Sequence, residues 1–198
     1  CIVSSQGKVT LAAHTLYDIV RKLPDGSEVI VELKDLNVEV SAGKSKFILP
    51  TLPVDDYPIM TNIEKGHEFK LQSIDLANLI DNTKFAISLE ETRYYLNGVY
   101  MHVATFENSK VLRCVATDGH RLARVDASLP NGAEELPGVI IPRKTVAEIR
   151  KFLDDDEVQI AVSVSETKVR FATPDITLTS KVIEGTFPDY TRVIPASN

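Results

Sequence analysis

The sequence predicts an α+β fold in which short helices pack on largely antiparallel sheets. Apolar residues recur every three or four positions in three short segments, as they do on one face of a helix. Several other segments alternate apolar and polar residues, as half-buried strands do. A block of one helix followed by three strands occurs twice, so we expect an internal repeat within this fold class.

The predicted helices lie in residues 14–23, 73–83 and 145–153, where the apolar positions fall on one helical face. Strands are predicted after each helix, because alternation begins there and turn residues separate the runs. The predicted strands are residues 28–33, 37–42, 46–52, 93–104, 110–116, 120–127, 158–164, 168–173 and 176–183.

The repeat has a constant offset of 130 residues, which places Val9 on Val139 and Leu23 on Leu153. The same offset later places Tyr57 and Pro58 on Phe187 and Pro188. Residues 69–136 have no upstream counterpart, so the repeating unit is about 130 residues, in the usual size range of a domain. We therefore expect the second half of one domain in residues 1–67 and a complete second domain in residues 68–198.

The composition is that of a globular protein that does not enter a membrane. The 198 residues are 43% hydrophobic and 25% charged, and no apolar run approaches the roughly 18 residues of a membrane span. The first residues have neither a starting Met nor a signal-peptide pattern, so we expect an internal fragment of a cytoplasmic protein. Cys1 and Cys114 lie far apart and the four histidines lack ligand spacing, which predicts no disulfide, no metal and no cofactor.

The stretch VATDGHRLARV, residues 115–125, is the strongest local signal. Asp-Gly between two alternating runs predicts a hairpin with a type I′ turn at Asp118 and Gly119, pairing Thr117 with His120 and Val115 with Leu122. The opposite face of this hairpin is the more apolar and is predicted to face the core. Val115, Thr117, His120 and Leu122 then share the outer face.

Three interpretations of this hairpin remain open at this point. It is an ordinary surface turn, a small hydrolase site that uses Asp118 and His120, or part of a peptide-docking groove. Turn chemistry already explains Asp118, and the nearby sequence has no nucleophile motif and no glycine-rich phosphate loop. These observations favour a binding role without catalysis.

Four motifs together resemble the bacterial DNA polymerase III β subunit, the sliding clamp family. They are RYYLNGVYMHV, VATDGHRLA, VIIPRK and EGTFPDYTRVIP, and the upstream LPDG and TLPVDDYP resemble the second half of that family's first domain. The resemblance implies the DNA clamp fold, in which each of several tandem domains packs two helices on largely antiparallel sheets. It also implies a homodimeric ring that encircles duplex DNA without sequence specificity, and it implies that about 65 N-terminal residues and a third domain lie outside this chain.

The resemblance further implies a cleft for short peptides with Gln, Leu and Phe anchors, used by the replicative polymerase catalytic subunit, the clamp loader and repair proteins. Matched position by position, the implied cleft residues are Leu96, Thr117, Gly119, His120, Arg121, Leu122, Pro188, Arg192 and Val193.

Contact with DNA must come from a local basic surface, because the net charge is −6. Arg143 and Arg150 lie seven residues apart, as do Lys144 and Lys151, so the third helix is predicted to carry a basic stripe. Arg21 belongs to the corresponding helix of the first copy. Tyr94 and Tyr95 match the aromatic pair that the family places near DNA, although strand residues packed in a core would also fit the pattern.

Overall fold

The computed structural model describes residues 2–57, 63, 66–153 and 158–194, and it divides the chain into two compact units, 1–60 and 61–198. The first unit contains helix α1 (Ala13–Val20) and an antiparallel sheet of β1 (Ile30–Lys34), β2 (Asn37–Ala42) and β3 (Ser45–Pro50). Alternation along β2 buries Val38 and Val40, which pack with Leu49 beneath side chains of α1.

The second unit contains two antiparallel sheets of four strands and two helices. One sheet has the order β11-β10-β9-β4 and the other has the order β7-β6-β5-β8. Its elements are β4 (His67–Gln72), α2 (Ser73–Asp81), β5 (Gly98–Phe106), β6 (Ser109–Thr117), β7 (Leu122–Ser128), β8 (Val139–Pro142), α3 (Arg143–Arg150), β9 (Gln159–Val164), β10 (Lys168–Ala172) and β11 (Thr177–Lys181).

One apolar core joins both helices and both sheets of the second unit. Leu79 of α2 and Ile149 of α3 are almost fully buried in it, together with Met101 of β5 and Phe171 of β10. Burial of this apolar area is the main stabilising contribution in a domain of this size. The α+β prediction is confirmed, since helices here cover antiparallel sheets.

The elements follow the repeat seen in the sequence. At the offset of 130 residues, Ala13–Val20 corresponds to Arg143–Arg150, and β1 and β2 correspond to β9 and β10. An isolated bridge joins Thr10 to Leu52 in one copy and Ile140 to Ile183 in the other. Pro58 lies outside the described residues, and the boundary between residues 67 and 68 stays a prediction.

The predicted strand over 93–104 was wrong at its start. Glu91–Leu96 forms two short 3₁₀ turns separated by a kink at Arg93, and β5 begins only at Gly98. Tyr94 is exposed whereas Leu96, two positions later, is buried, and a strand would put both side chains on one face. The sequence prediction also missed β4 and the four-residue strand β8.

The predicted hairpin register was wrong by two residues. Thr117 pairs with Leu122, and Val115 pairs with Arg124, so residues 118–121 form a loop longer than the type I′ turn. Only Gly119 in this loop has a positive φ, +87°. A shift of two residues keeps the strand side chains on their predicted faces, and Cys114 and Ala116 do face the core, but His120, predicted to pair with Thr117, lies in the loop outside the ladder.

The type I′ turn occurs one hairpin earlier, between β5 and β6. Phe106 pairs with Ser109, and the two residues between them, Glu107 and Asn108, have φ of 47° and 64°. Both central residues of a type I′ turn need positive φ, which matches this geometry.

Candidate functional site

A second apolar cluster lies on the outer face of the β7-β6-β5-β8 sheet, away from the main core. It contains Leu96, Val115, Ile140, Phe187 and Tyr190, all at most 7% exposed. Leu122, Tyr95, Tyr100, Ile183 and Ile194 are partly buried against it. The predicted outer face of the hairpin therefore contributes Val115 and Leu122 to an apolar surface shared with the chain segment 187–194.

The hairpin loop is held open by its own side chains. The Asp118 carboxylate oxygen Oδ1 accepts hydrogen bonds from the backbone N–H groups of His120 and Arg121, each at 3.0 Å. Oδ2 accepts from Arg121 Nε at 3.0 Å. The Thr117 hydroxyl donates to the Arg121 carbonyl at 2.8 Å and accepts from Gly119 N–H at 3.1 Å. These bonds join Asp118 and Thr117 to Gly119, His120 and Arg121 within the loop. They do not involve the His120 imidazole, which is exposed.

The electrostatics of Asp118 argue against acid–base catalysis. The backbone N–H groups of His120 and Arg121 stabilise its charged form and lower its pKa to about 2. A carboxylate with this pKa is a weak base at neutral pH. Its bond to His120 runs to the backbone nitrogen, so the pair lacks the carboxylate–imidazole contact that orients a catalytic histidine.

Arg93 is a neighbour of this loop that the sequence prediction missed. A Cβ built on Gly119 would lie 2.5 Å from Arg93 Nη1, so glycine permits this side chain to cover the loop. Arg93 is also paired with Glu90, three residues earlier on the same segment. The Glu-x-x-Arg spacing in the sequence could have predicted the pair of Glu90 and Arg93. Only the fold shows that Arg93 lies against Gly119.

The segment 187–193 supplies the remaining predicted cleft residues. The Phe187 ring stacks on Tyr100 with centroids 4.8 Å apart, and Tyr190 is buried beside it. Pro188, Arg192 and Val193 are exposed on the same short segment, and Val193 is 71% exposed. Leu96 and Leu122 thus lie in the cluster that this segment covers, and three exposed residues flank it.

The two tyrosines predicted near DNA have different environments. Tyr95 is partly buried against the second cluster, whereas Tyr94 is 55% exposed, and both side chains approach Gly185. Their rings meet edge to face with centroids 5.8 Å apart. Tyr94 is therefore the one available to a ligand, and Tyr95 is mainly a packing residue.

The predicted basic stripe on α3 is uneven. Arg143 and Lys144 are exposed at the start of the helix, and neither has an ion-pair partner among the described residues. Arg150 donates to Asp81 of α2 at 2.9 Å, and Lys151 is paired with Glu148 at 2.8 Å. Half of the predicted positive charge is thus compensated by carboxylates, which sequence spacing alone did not reveal.

Arg21, on the corresponding helix of the first unit, is likewise paired, with Asp18 at 3.3 Å, and its guanidinium lies over the Tyr17 ring. Within the described residues, no three His, Cys, Asp or Glu side chains gather as a metal-binding group. No helix in that part of the chain has the length and apolarity to cross a bilayer.

Two family profiles match the chain. The profile of the DNA polymerase III beta subunit, N-terminal domain, matches residues 2–61, and that of its central domain matches residues 70–189. The beta sliding clamp of Caulobacter vibrioides is 49% identical over 194 residues, which are 97% of this chain and 52% of that protein. The beta sliding clamp of Salmonella typhimurium is 39% identical over 193 residues, 96% of this chain and 50% of that protein.

Solved structures agree in fold. A sliding clamp from Bartonella birtlesii, bound to griselimycin, superposes with a TM-score of 0.93 at 47% identity, covering 98% of this chain and 52% of that one. The pol III beta of Caulobacter crescentus superposes with a TM-score of 0.91 at 48% identity, covering 99% and 54%. The chain spans about half the length of the curated relatives it matches, and none of the relatives named here supports the hydrolase interpretation. On these matches, the chain belongs to the bacterial DNA polymerase III β subunit, or sliding clamp, family.

Proposed function

We propose that this chain forms part of a clamp that encircles duplex DNA in the cytoplasm and tethers the replicative polymerase to it. In this function the protein is a binding scaffold and performs no chemistry. The single observation that carries the proposal is the family membership over nearly the whole chain. The homodimeric ring and the domain division at residue 68 belong to the same proposal.

The peptide-docking surface is the outer cluster together with the hairpin loop. Leu122 is half-buried there, so its side chain packs against the cluster and still presents apolar area to a ligand. Pro188 and Val193 add exposed apolar area, and Arg192, Arg121 and His120 supply a polar rim. A few apolar anchors in a pocket with a polar rim are typical of peptide recognition. The occupant is a short peptide with Gln, Leu and Phe anchors from the polymerase, the clamp loader or a repair protein.

DNA contact in this proposal is electrostatic and independent of sequence. Arg143 and Lys144 are the cations of α3 that have no ion-pair partner in the described part of the chain, and Tyr94 is an exposed aromatic residue of the same unit. Contacts to phosphates hold the duplex without reading bases, which a protein that slides requires.

The test is a calorimetric titration of a polymerase-tail peptide into a full-length clamp subunit that carries this sequence. Leu122→Ala should weaken binding at least roughly tenfold, because truncating a central apolar anchor costs on the order of 2 kcal/mol. Leu36→Ala is the matched control, since Leu36 is 80% exposed on the first unit and should bind normally. Unchanged binding in Leu122→Ala would remove the docking assignment.

Asp118→Asn separates this proposal from the hydrolase interpretation. Both backbone N–H groups that bond to the Asp118 side chain donate to Oδ1, which an asparagine retains, and only the Oδ2 bond to Arg121 is lost. The variant should therefore bind the peptide nearly as well as the parent. A hydrolytic activity that Asp118→Asn abolishes would instead favour an enzyme.

A further inference from the structure

Under the segment 187–193 lies a chain of polar side chains that neither the sequence prediction nor the proposed docking surface uses. His102, Arg113 and Asp126 lie side by side on strands β5, β6 and β7, because His102 pairs with Arg113 and Arg113 pairs with Asp126. The Tyr190 hydroxyl lies above them, 3.0 Å from His102 Nε2 and 3.4 Å from Arg113 Nη1.

Arg113 is only 6% exposed, so its charge needs a partner. Asp126 provides one in a two-point contact, with Nε to Oδ1 at 2.6 Å and Nη2 to Oδ2 at 2.7 Å. This geometry fixes the plane of the guanidinium and directs its remaining nitrogen, Nη1, toward the Tyr190 hydroxyl.

The direction of each hydrogen bond in the chain follows from its partners. His102 Nδ1 lies 2.9 Å from the Val103 carbonyl oxygen, which only accepts, so Nδ1 carries the proton. The lone pair on Nε2 then accepts from the Tyr190 hydroxyl, whose oxygen accepts in turn from Arg113. Nε2 can accept the Tyr190 hydroxyl proton only while His102 is neutral.

Tyr190 is placed where its contacts can fix the positions of Pro188 and Val193. It stands two residues after Pro188 and three before Val193, and no strand pairing is present between residues 184 and 194. The ring stacking of Phe187 holds one end, but apolar packing has little directional preference. The two bonds at the Tyr190 hydroxyl fix how deeply the Tyr190 ring enters the cluster and how this end of the segment is rotated.

We propose that His102, Arg113 and Asp126 are positioning residues, which act through the Tyr190 hydroxyl to hold Pro188 and Val193 in the conformation that binds a partner peptide. This inference rests on the proposed function of the docking surface. It assigns a role to side chains that do not themselves contact the peptide.

The first test is Tyr190→Phe in the full-length subunit, with Tyr57→Phe as the matched control. The phenylalanine keeps the ring in the cluster and removes only the hydroxyl, so peptide affinity should fall roughly threefold to tenfold. Tyr57 is 59% exposed, and the loss of its hydroxyl should leave the affinity unchanged.

Leu122→Ala, measured alongside, separates the two proposals. If Leu122→Ala weakens binding and Tyr190→Phe does not, the positioning role is wrong and the docking surface stands. If neither weakens binding, the docking surface itself is wrong.

A second pair of variants at residue 102 distinguishes loss of the hydrogen bond to Tyr190 from loss of packing. His102→Gln places a side-chain oxygen that can accept the Tyr190 hydroxyl, whereas His102→Leu cannot accept it. The Gln variant should bind like the parent at pH 7.5, and the Leu variant should bind about as weakly as Tyr190→Phe. Equal binding by the two variants would overturn the proposal, and this comparison also decides the matter if Tyr190→Phe fails to fold.

The pH profile of binding gives a further check. The ring of His102 is faced by Tyr100, Tyr190 and Arg113, with Asp126 beyond, and burial lowers the pKa of its imidazole below the usual 6.5. Only a neutral His102 accepts from the Tyr190 hydroxyl, and its lowered pKa places protonation below pH 6.5, so affinity in the parent should decline in that lower pH range. The decline should be smaller in His102→Gln. Since the two proteins differ only at residue 102, the difference between the two profiles reports His102 alone, and identical profiles would contradict the role.

Discussion

The two halves of the basic stripe on α3 should contribute unequally to DNA binding. Arg143 and Lys144 are exposed and have no ion-pair partner among the described residues. Arg150 is held by Asp81, and Lys151 by Glu148. A cation that is already paired must give up its carboxylate before it neutralises a phosphate, so the first pair should make the stronger contacts.

The size of the effect follows from counterion release. Each neutralised phosphate contributes about 0.9 to the slope of log affinity against log salt. Replacing both Arg143 and Lys144 by alanine should therefore lower the slope by about 1.8. Between 50 and 200 mM salt this corresponds to an affinity that falls roughly twelvefold less than in the parent. Replacing Arg150 and Lys151 by alanine should lower the slope by less than about 0.9.

Fluorescence anisotropy of a short labelled duplex, measured over a salt series with the full-length subunit, gives both slopes. The second double variant is a matched control, because it also removes two positive charges, from the last residue of the same helix and the residue that caps it. Asp81 keeps a partner in that variant, since Lys84 also binds it. Equal slopes in the two double variants, or a larger change for Arg150 and Lys151, would refute the distinction between paired and unpaired cations.

Two further predictions concern the hairpins. The carboxyl of Asp118 should titrate by NMR with a pKa of about 2. The loop stabilisation that this carboxylate provides is then complete above about pH 4 and is lost as the pH falls toward 2. A pKa near the ordinary 3.9 would mean that the backbone bonds do not form in solution. Glu107→Asn should raise the free energy of unfolding by up to about 1 kcal/mol in chemical denaturation, because Glu107 has φ of 47° and asparagine tolerates this region better. A destabilised Glu107→Asn would show that the turn is not strained at this position.

The local patterns determined much of the second unit. Alternation placed Leu112, Cys114 and Ala116 on the core face of β6, and the structure buries all three. The period of the helices and the offset of 130 residues located α1 and α3, although both helices end three residues earlier than predicted. The final turns change to bonds between residues three apart, as from Leu23 N–H to the Val20 carbonyl, and sequence periodicity does not register that change.

The features that tertiary structure decided are those that depend on partners distant in sequence. His102 and Tyr190 are 88 residues apart, and Arg150 and Asp81 are 69 apart, so no local pattern pairs them. The hairpin register was decided by backbone bonds to one carboxylate, which opened the loop that Asp-Gly alone would have closed. Sequence therefore determined which side chains face the core and which family motifs are present, because both follow from local spacing. The charge available on α3 and the support beneath the docking surface were decided by the fold, because burial and ion pairing depend on which elements pack together.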